Sequence, residues 1–126
     1  MRYLLDSAFL IDVLRGQPEA MGRLARLYEA GDTVYVNEIV ACELASGTHL
    51  HPDPDLDGLL RPLEFIQPGP ESALEAGRWR AEARRRGWSL SLSDALIAAA
   101  AGAAGATILT RNRRDFSLTP VPVEGY

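Results

Sequence analysis

Four carboxylates stand where the surrounding pattern gives them chemistry to do. Asp6 follows the apolar run Tyr3-Leu4-Leu5, so it falls at the end of a short strand and the start of a helix. Taken alone, it reads equally well as a helix-start acid favoured by the macrodipole. Glu43 is harder to explain. In the segment beginning at Asn37 the apolar stripe is Ile39, Val40, Leu44 and Gly47, and Glu43 shares that face at helical spacing. A carboxylate there needs a partner arginine, a hydrogen bond or a metal. Glu38 lies off the stripe and reads as solvated surface. Asp94 heads the run Ala95-Leu96-Ile97-Ala98-Ala99, where helix-end stabilisation again explains a single acid. Asp115 and Asn112 lie in Thr110-Arg111-Asn112-Arg113-Arg114-Asp115-Phe116, just after an apolar strand. An acid among arginines is also an ordinary salt-bridge partner.

Their joint placement is more specific than any one of them. Carboxylates are what magnesium and manganese prefer, and one or two acids per ion leave sites for water and phosphate. Two such ions about 4 Å apart activate a water and stabilise the departing oxygen of a phosphodiester. Acids gathered without a cation repel one another and have raised pKa values. The cluster therefore predicts a cation.

The elements that would position these acids alternate between strand-like and helical patterns. Arg2 to Leu5 reads as a strand, and Ser7 as the cap of a helix to Leu14 ended by Gly16. Pro18 opens a second helix with Met21, Leu24, Ala25, Leu27 and Tyr28 on its apolar face. Thr33 to Val36 is β-branched and aromatic, and Asn37 is a good N-cap for a helix to about Gly47. His51 to Asp57, with two prolines and three aspartates, reads as loop. Leu63 to Ile66 is strand-like, and Glu71 to Arg86 is a long helix ended by Gly87. Ser91 or Ser93 caps the alanine-rich helix, Thr107 to Thr110 is a strand, and Val121 to Val123 is an edge strand where prolines are tolerated. This order predicts one α/β domain over residues 1–126, with a mostly parallel sheet of about four to five strands covered on both faces. Ligands of such sheets bind beyond the carboxyl ends of the strands, at the switch point of strand order.

Charge adds a second signal. The net charge is −4, every basic residue is arginine, and there is no lysine. Arg78 to Arg114 holds eight arginines against two acids, whereas the rest holds five against fifteen. That asymmetry points to an anionic partner near the C-terminal half, or to a solvated arginine-rich helix face. Absent lysine excludes a P-loop and a pyridoxal-phosphate Schiff base. Asp6 breaks the first apolar run too early for a signal peptide. The longest apolar stretch, Ala95 to Ala106, is shorter than the roughly 20 residues of a membrane span. The single Cys42 forms no internal disulfide, so a cytoplasmic setting and no membrane association are expected.

At the level of motifs the whole chain resembles the PIN domain, and within it the VapC toxins of bacterial toxin–antitoxin pairs. The resemblance is carried by Leu5-Asp6-Ser7-Ala8-Phe9-Leu10-Ile11-Asp12, by Asn37-Glu38-Ile39-Val40-Ala41-Cys42-Glu43-Leu44, by Leu92-Ser93-Asp94-Ala95-Leu96-Ile97-Ala98-Ala99, and by Leu109 to Phe116. It implies a three-layer α/β/α fold. Asp6, Glu43 and Asp94 match the family's three core metal-binding acids and Asp115 its usual fourth. The place two after the first acid, often polar, is Ala8 here, with Ser7 able to orient the site. Asn112 occupies a position that is acidic in some members. Asp12 is assigned to the surface of the first helix or to partner contacts. The implied activity is a magnesium- or manganese-dependent endoribonuclease acting on tRNA or ribosomal RNA, dimeric, and inhibited by a VapB-type antitoxin. Arg84, Arg85, Arg86, Arg111, Arg113 and Arg114 are the expected RNA-phosphate contacts.

The remaining residues carry weaker signals. His49 and His51 have zinc-like spacing but no nearby third ligand. Cys42 reads as an inert packing residue. Trp79 and Trp88 flank the arginines and read first as core, with base stacking the alternative. Leu59-Leu60 is an apolar pair available for dimerisation. A PIN-like module that binds RNA or protein without cutting remains the alternative function. A haloacid-dehalogenase-type phosphatase fits poorly, because Ala8 replaces its second aspartate and lysine is missing.

Overall fold

The computed structural model describes all residues, Met1–Tyr126. Five strands, β1 (Arg2–Leu5), β2 (Thr33–Asn37), β3 (Glu64–Ile66), β4 (Thr107–Leu109) and β5 (Val123–Glu124), form one sheet in the order β3-β2-β1-β4-β5. Every pairing is parallel. Six helices connect them: α1 (Ser7–Leu14), α2 (Pro18–Glu29), α3 (Glu38–Ser46), α4 (Pro54–Leu60), α5 (Pro70–Arg85) and α6 (Leu92–Ala104). α1 packs on α2 and α3, while α5 packs on α6. Right-handed crossovers put α1–α4 on one face and α5–α6 on the other, which is the expected three-layer arrangement.

The central strands are apolar along their length because both faces are covered. Tyr3, Leu4 and Leu5 of β1, Val34, Tyr35 and Val36 of β2, and Ile108 and Leu109 of β4 are all buried. Ala95, Ala98, Ala99, Ala100 and Ala101 of α6 are equally buried, and small side chains let this helix lie close to the sheet. Strand order reverses between β1 and β4. Their register pairs Leu5 with Leu109, so the next residues, Asp6 and Thr110, emerge side by side at the switch point.

Several sequence expectations need correction. The segment read as loop through Asp57 contains α4. Asp53 caps it by accepting from the N–H groups of Asp55 at 3.0 Å and Leu56 at 3.3 Å, and Pro54 occupies its first turn. Here proline and aspartate mark a helix start rather than a turn. Ser7 is the first residue of α1, with Asp6 in the cap position. The last strand is Val123–Glu124 instead of Val121 to Val123, with the Pro122 carbonyl accepting from Ile108 N–H at 2.9 Å. Leu59 and Leu60 pack against the main core as half-buried residues. Cys42 and Trp88 are exposed, not packed.

Candidate metal centre at the carboxyl edge of the sheet

Asp6 is 5% exposed, and its Oδ2 accepts the Thr110 hydroxyl at 2.7 Å. Thr110 is wholly buried and its Oγ1 also accepts from Asn112 N–H at 3.0 Å. One hydroxyl thereby ties the first acid to the loop after β4. Sequence pattern alone does not mark Thr110 as a site residue. The available signal was its position after an apolar strand, level with Asp6 after another.

Glu43 reaches the same place from α3. Asn37 caps that helix by accepting from Val40 N–H at 3.0 Å, which fixes the phase of the residues that follow. Glu43 is half-buried, and its Oε1 accepts the Ser7 hydroxyl at 3.0 Å. The orienting role expected of Ser7 is thus given a concrete partner. Asp94 sits in the first turn of α6, whose N-cap is Ser91, not Ser93. The Ser91 Oγ accepts from Asp94 N–H at 3.1 Å.

Burial is the main cause that raises the pKa values of Asp6, Glu43 and Asp94 above the ordinary carboxylate range. Hydrogen bonds from Thr110, Ser7 and Ser91 respectively oppose it. Like charges then push upward again. Asp6 feels Asp115, Glu43 feels Asp6 and Asp94, and Asp94 feels Asp115 and Asp6. The four acids, carried on four different segments, therefore converge electrostatically. None of them takes part in a salt bridge. The arginine compensation entertained for Glu43 and Asp115 is absent.

Asp115 is exposed in a 3-10 turn, Arg113–Phe116, anchored by buried Phe116. Asn112 caps the turn by position and is also exposed. No three acids, histidines or cysteines crowd closely enough to enclose an ion unaided. An all-carboxylate set of donors suits a hard cation that keeps several waters, as magnesium does. The donor chemistry therefore fits such an ion, and the uncompensated negative charge gives it a reason to bind.

Asp12 departs from its expected surface role. It is buried, its Oδ1 pairs with Arg111, and its Oδ2 accepts the Tyr126 hydroxyl. Tyr126 in turn meets the Phe9 ring edge-on at 4.8 Å. These bonds hold Asp12 below the ordinary carboxylate range against the opposing effect of burial, while burial and then the bond to Asp12 push the Tyr126 phenol up. Arg111 is thus engaged by Asp12, although its side chain remains 44% exposed. Arg84, Arg85 and Arg86 lie exposed at the end of α5, and Arg113 and Arg114 in the 3-10 turn. The six arginines thus fall in two separate segments of the fold. His49 and His51 stay exposed in the α3–α4 connection. No helix is long and apolar enough to cross a membrane.

With this geometry in place, comparison with known proteins is informative. The PIN domain family model matches residues 3–121. Ribonuclease VapC19 of Mycobacterium tuberculosis is 30% identical over 117 residues, covering 93% of this chain and 94% of the relative. The tRNA(fMet)-specific endonuclease VapC of Salmonella typhimurium is 27% identical over 125 residues, covering 95% and 93%. Among solved structures, VapBC2 from Rickettsia felis, bound to a DNA fragment from its promoter, superposes with a TM-score of 0.86. It shares 26% identity over 100% of this chain and 99% of that one. DNA-bound VapBC from Salmonella typhimurium gives 0.83 at 26% identity, covering 99% and 98%.

Proposed function

Because the chain belongs to the PIN-domain family, and within it to the VapC ribonucleases, we propose that residues 1–126 act as a magnesium- or manganese-dependent endoribonuclease, the toxin of a VapBC-type pair. The observation that carries this reading is the mutual like-charge influence among Asp6, Glu43, Asp94 and Asp115, none of which is paired with an arginine. A divalent ion bound there supplies Lewis-acid polarisation of a phosphodiester and activation of water near neutral pH. Thr110 and Ser7 hold the Asp6 and Glu43 carboxylates in their orientations, and the Ser91 cap fixes the helix start that carries Asp94. Exposed Arg113 and Arg114, beside Asp115, attract the phosphates that four acids would otherwise repel.

The VapB-type antitoxin partner is supported by the VapBC complexes that share the fold. A homodimer acting on tRNA or ribosomal RNA in the cytoplasm follows from the same family reading. The test is cleavage of total RNA by protein purified free of any antitoxin. Magnesium or manganese should support cleavage, EDTA should stop it, and Glu43→Gln should abolish it. RNA binding without cleavage under every metal tried would leave the non-cutting module in its place.

A further inference from the structure

The two tryptophans that flank the arginine-rich helix end have different surroundings. Trp79 packs against both apolar clusters, whereas Trp88 is 59% exposed. The backbone of Trp88 is nonetheless fixed. α5 closes on left-handed Gly87, at φ 77°. Gly87 N–H donates to the Arg84 carbonyl at 3.0 Å and Trp88 N–H to the Ala83 carbonyl at 2.8 Å. This paired closure satisfies the last carbonyls of a helix and ordinarily lays the second residue onto the helix residue it bonds. Here that residue is alanine, too small to cover an indole. On the far side of the turn, Leu90 is buried and its carbonyl accepts from Arg80 Nε at 3.1 Å.

A rigid turn thus holds an uncovered indole. Leu92, 58% exposed, is a second uncovered apolar residue in the same stretch, and Asp94 follows two residues later. Chain length alone keeps the Trp88 and Asp94 Cα atoms within about 20 Å. Arg84 and Arg86 are exposed and form no salt bridge, while Arg85 is paired with Glu82. Cations at this helix end are explained by the macrodipole, but the macrodipole does not require an indole beside them.

The geometry points to Trp88 as a stacking platform for an unpaired base of the RNA substrate, with Arg84 and Arg86 taking the neighbouring phosphates. This rests on the nuclease reading above and deepens it. Indole faces bind any splayed base, and exposed faces exist only in single strands and loops, since a duplex keeps its bases stacked. Trp88 is therefore assigned to an unpaired nucleotide of the RNA substrate, close along the chain to Asp94.

The test uses the full chain in EDTA with Glu43→Gln as background, so that cleavage is silent. A labelled single-stranded 12-mer RNA and a blunt RNA duplex of the same length are titrated by fluorescence anisotropy. Adding Trp88→Ala should weaken single-strand binding about tenfold and change duplex binding less than about twofold. Trp88→Phe should restore most of the affinity while losing the RNA-induced quenching of indole emission. Equal single-strand affinity in the Trp88→Ala protein overturns the stacking role. The nuclease reading is unaffected in that case if the wild-type enzyme, assayed in parallel, cuts RNA with magnesium. A wild-type protein that neither binds nor cuts RNA overturns both. Indole emission that follows protein concentration rather than RNA would make the patch an interface between copies of this chain, which also overturns the proposal.

Discussion

Replacing Asp6 by asparagine should separate the stability of the acidic crevice from its activity. Asparagine keeps the shape of the side chain and an acceptor for the Thr110 hydroxyl, so charge is what changes. Asp6 is 5% exposed and is coupled by like charge to Glu43, Asp94 and Asp115. Two unit charges about 6 Å apart repel by about 3 kcal/mol at an effective dielectric of about 20. Exposed Asp115 is screened by solvent, which reduces this repulsion. We therefore expect Asp6→Asn to stabilise the metal-free protein at pH 7 by about 1–2 kcal/mol, raising Tm by about 3–8 °C. Cleavage should fall at least about 100-fold, about 2.7 kcal/mol of lost transition-state stabilisation. The assay is calorimetry in EDTA at pH 7 and pH 5, beside RNA cleavage in magnesium. The stability gain should shrink at pH 5, where the wild-type acids take up protons. A variant less stable than wild type in EDTA, or one that cleaves normally, would refute the reasoning.

Three further outcomes follow from the same contacts. Thr110→Val removes a buried hydroxyl that donates to Asp6 and accepts from Asn112 N–H. It should destabilise the fold by about 1–3 kcal/mol in urea titration and lower activity through misplacement of Asp6. Asp12→Ala strands Arg111 and the Tyr126 hydroxyl. Because Arg111 is partly solvated, the loss should be about 1–2 kcal/mol by the same titration. The pH dependence of Tm without metal has two parts of opposite sign. Asp6, Glu43 and Asp94 have raised pKa values, so the native state keeps protons that the unfolded chain releases. Their contribution is largest in acid and is lost as pH rises from the ordinary carboxylate value, about 4, through the raised values. Asp12 is lowered, so its contribution is present above about 4 and lost as pH falls through its folded-state pKa. Magnesium should abolish the decline on the neutral side and leave the acid limb unchanged.

What could be read from the sequence was what local pattern controls. The apolar runs at Tyr3 to Leu5 and Ile108 to Leu109 mark strands because both faces of the sheet are buried. Asn37 marks a helix start because its side chain can satisfy an orphan N–H. Glu43 was conspicuous because its helical phase puts it on an apolar face. What stayed hidden depends on partners distant along the chain. Asp12 looks like a surface acid until Arg111 and Tyr126, about a hundred residues away, fold against it. Thr110 is an unremarkable strand-end residue until strand order sets it beside Asp6. Cys42 and Trp88 show the same limit from the other side, since an apolar residue type does not say which face its neighbours will leave open. The α4 helix is not legible in the sequence because proline and aspartate serve both turns and helix starts, and only the Asp53 cap decides between them.

The central claim is that four carboxylates form one site for a divalent cation. Isothermal titration calorimetry of manganese into the antitoxin-free protein at pH 7, beside Asp94→Asn, tests it most directly. Saturable binding by the wild type, at least about tenfold weaker in the variant, is the predicted result. Equal affinities in the two proteins, or no binding by the wild type, would contradict the account.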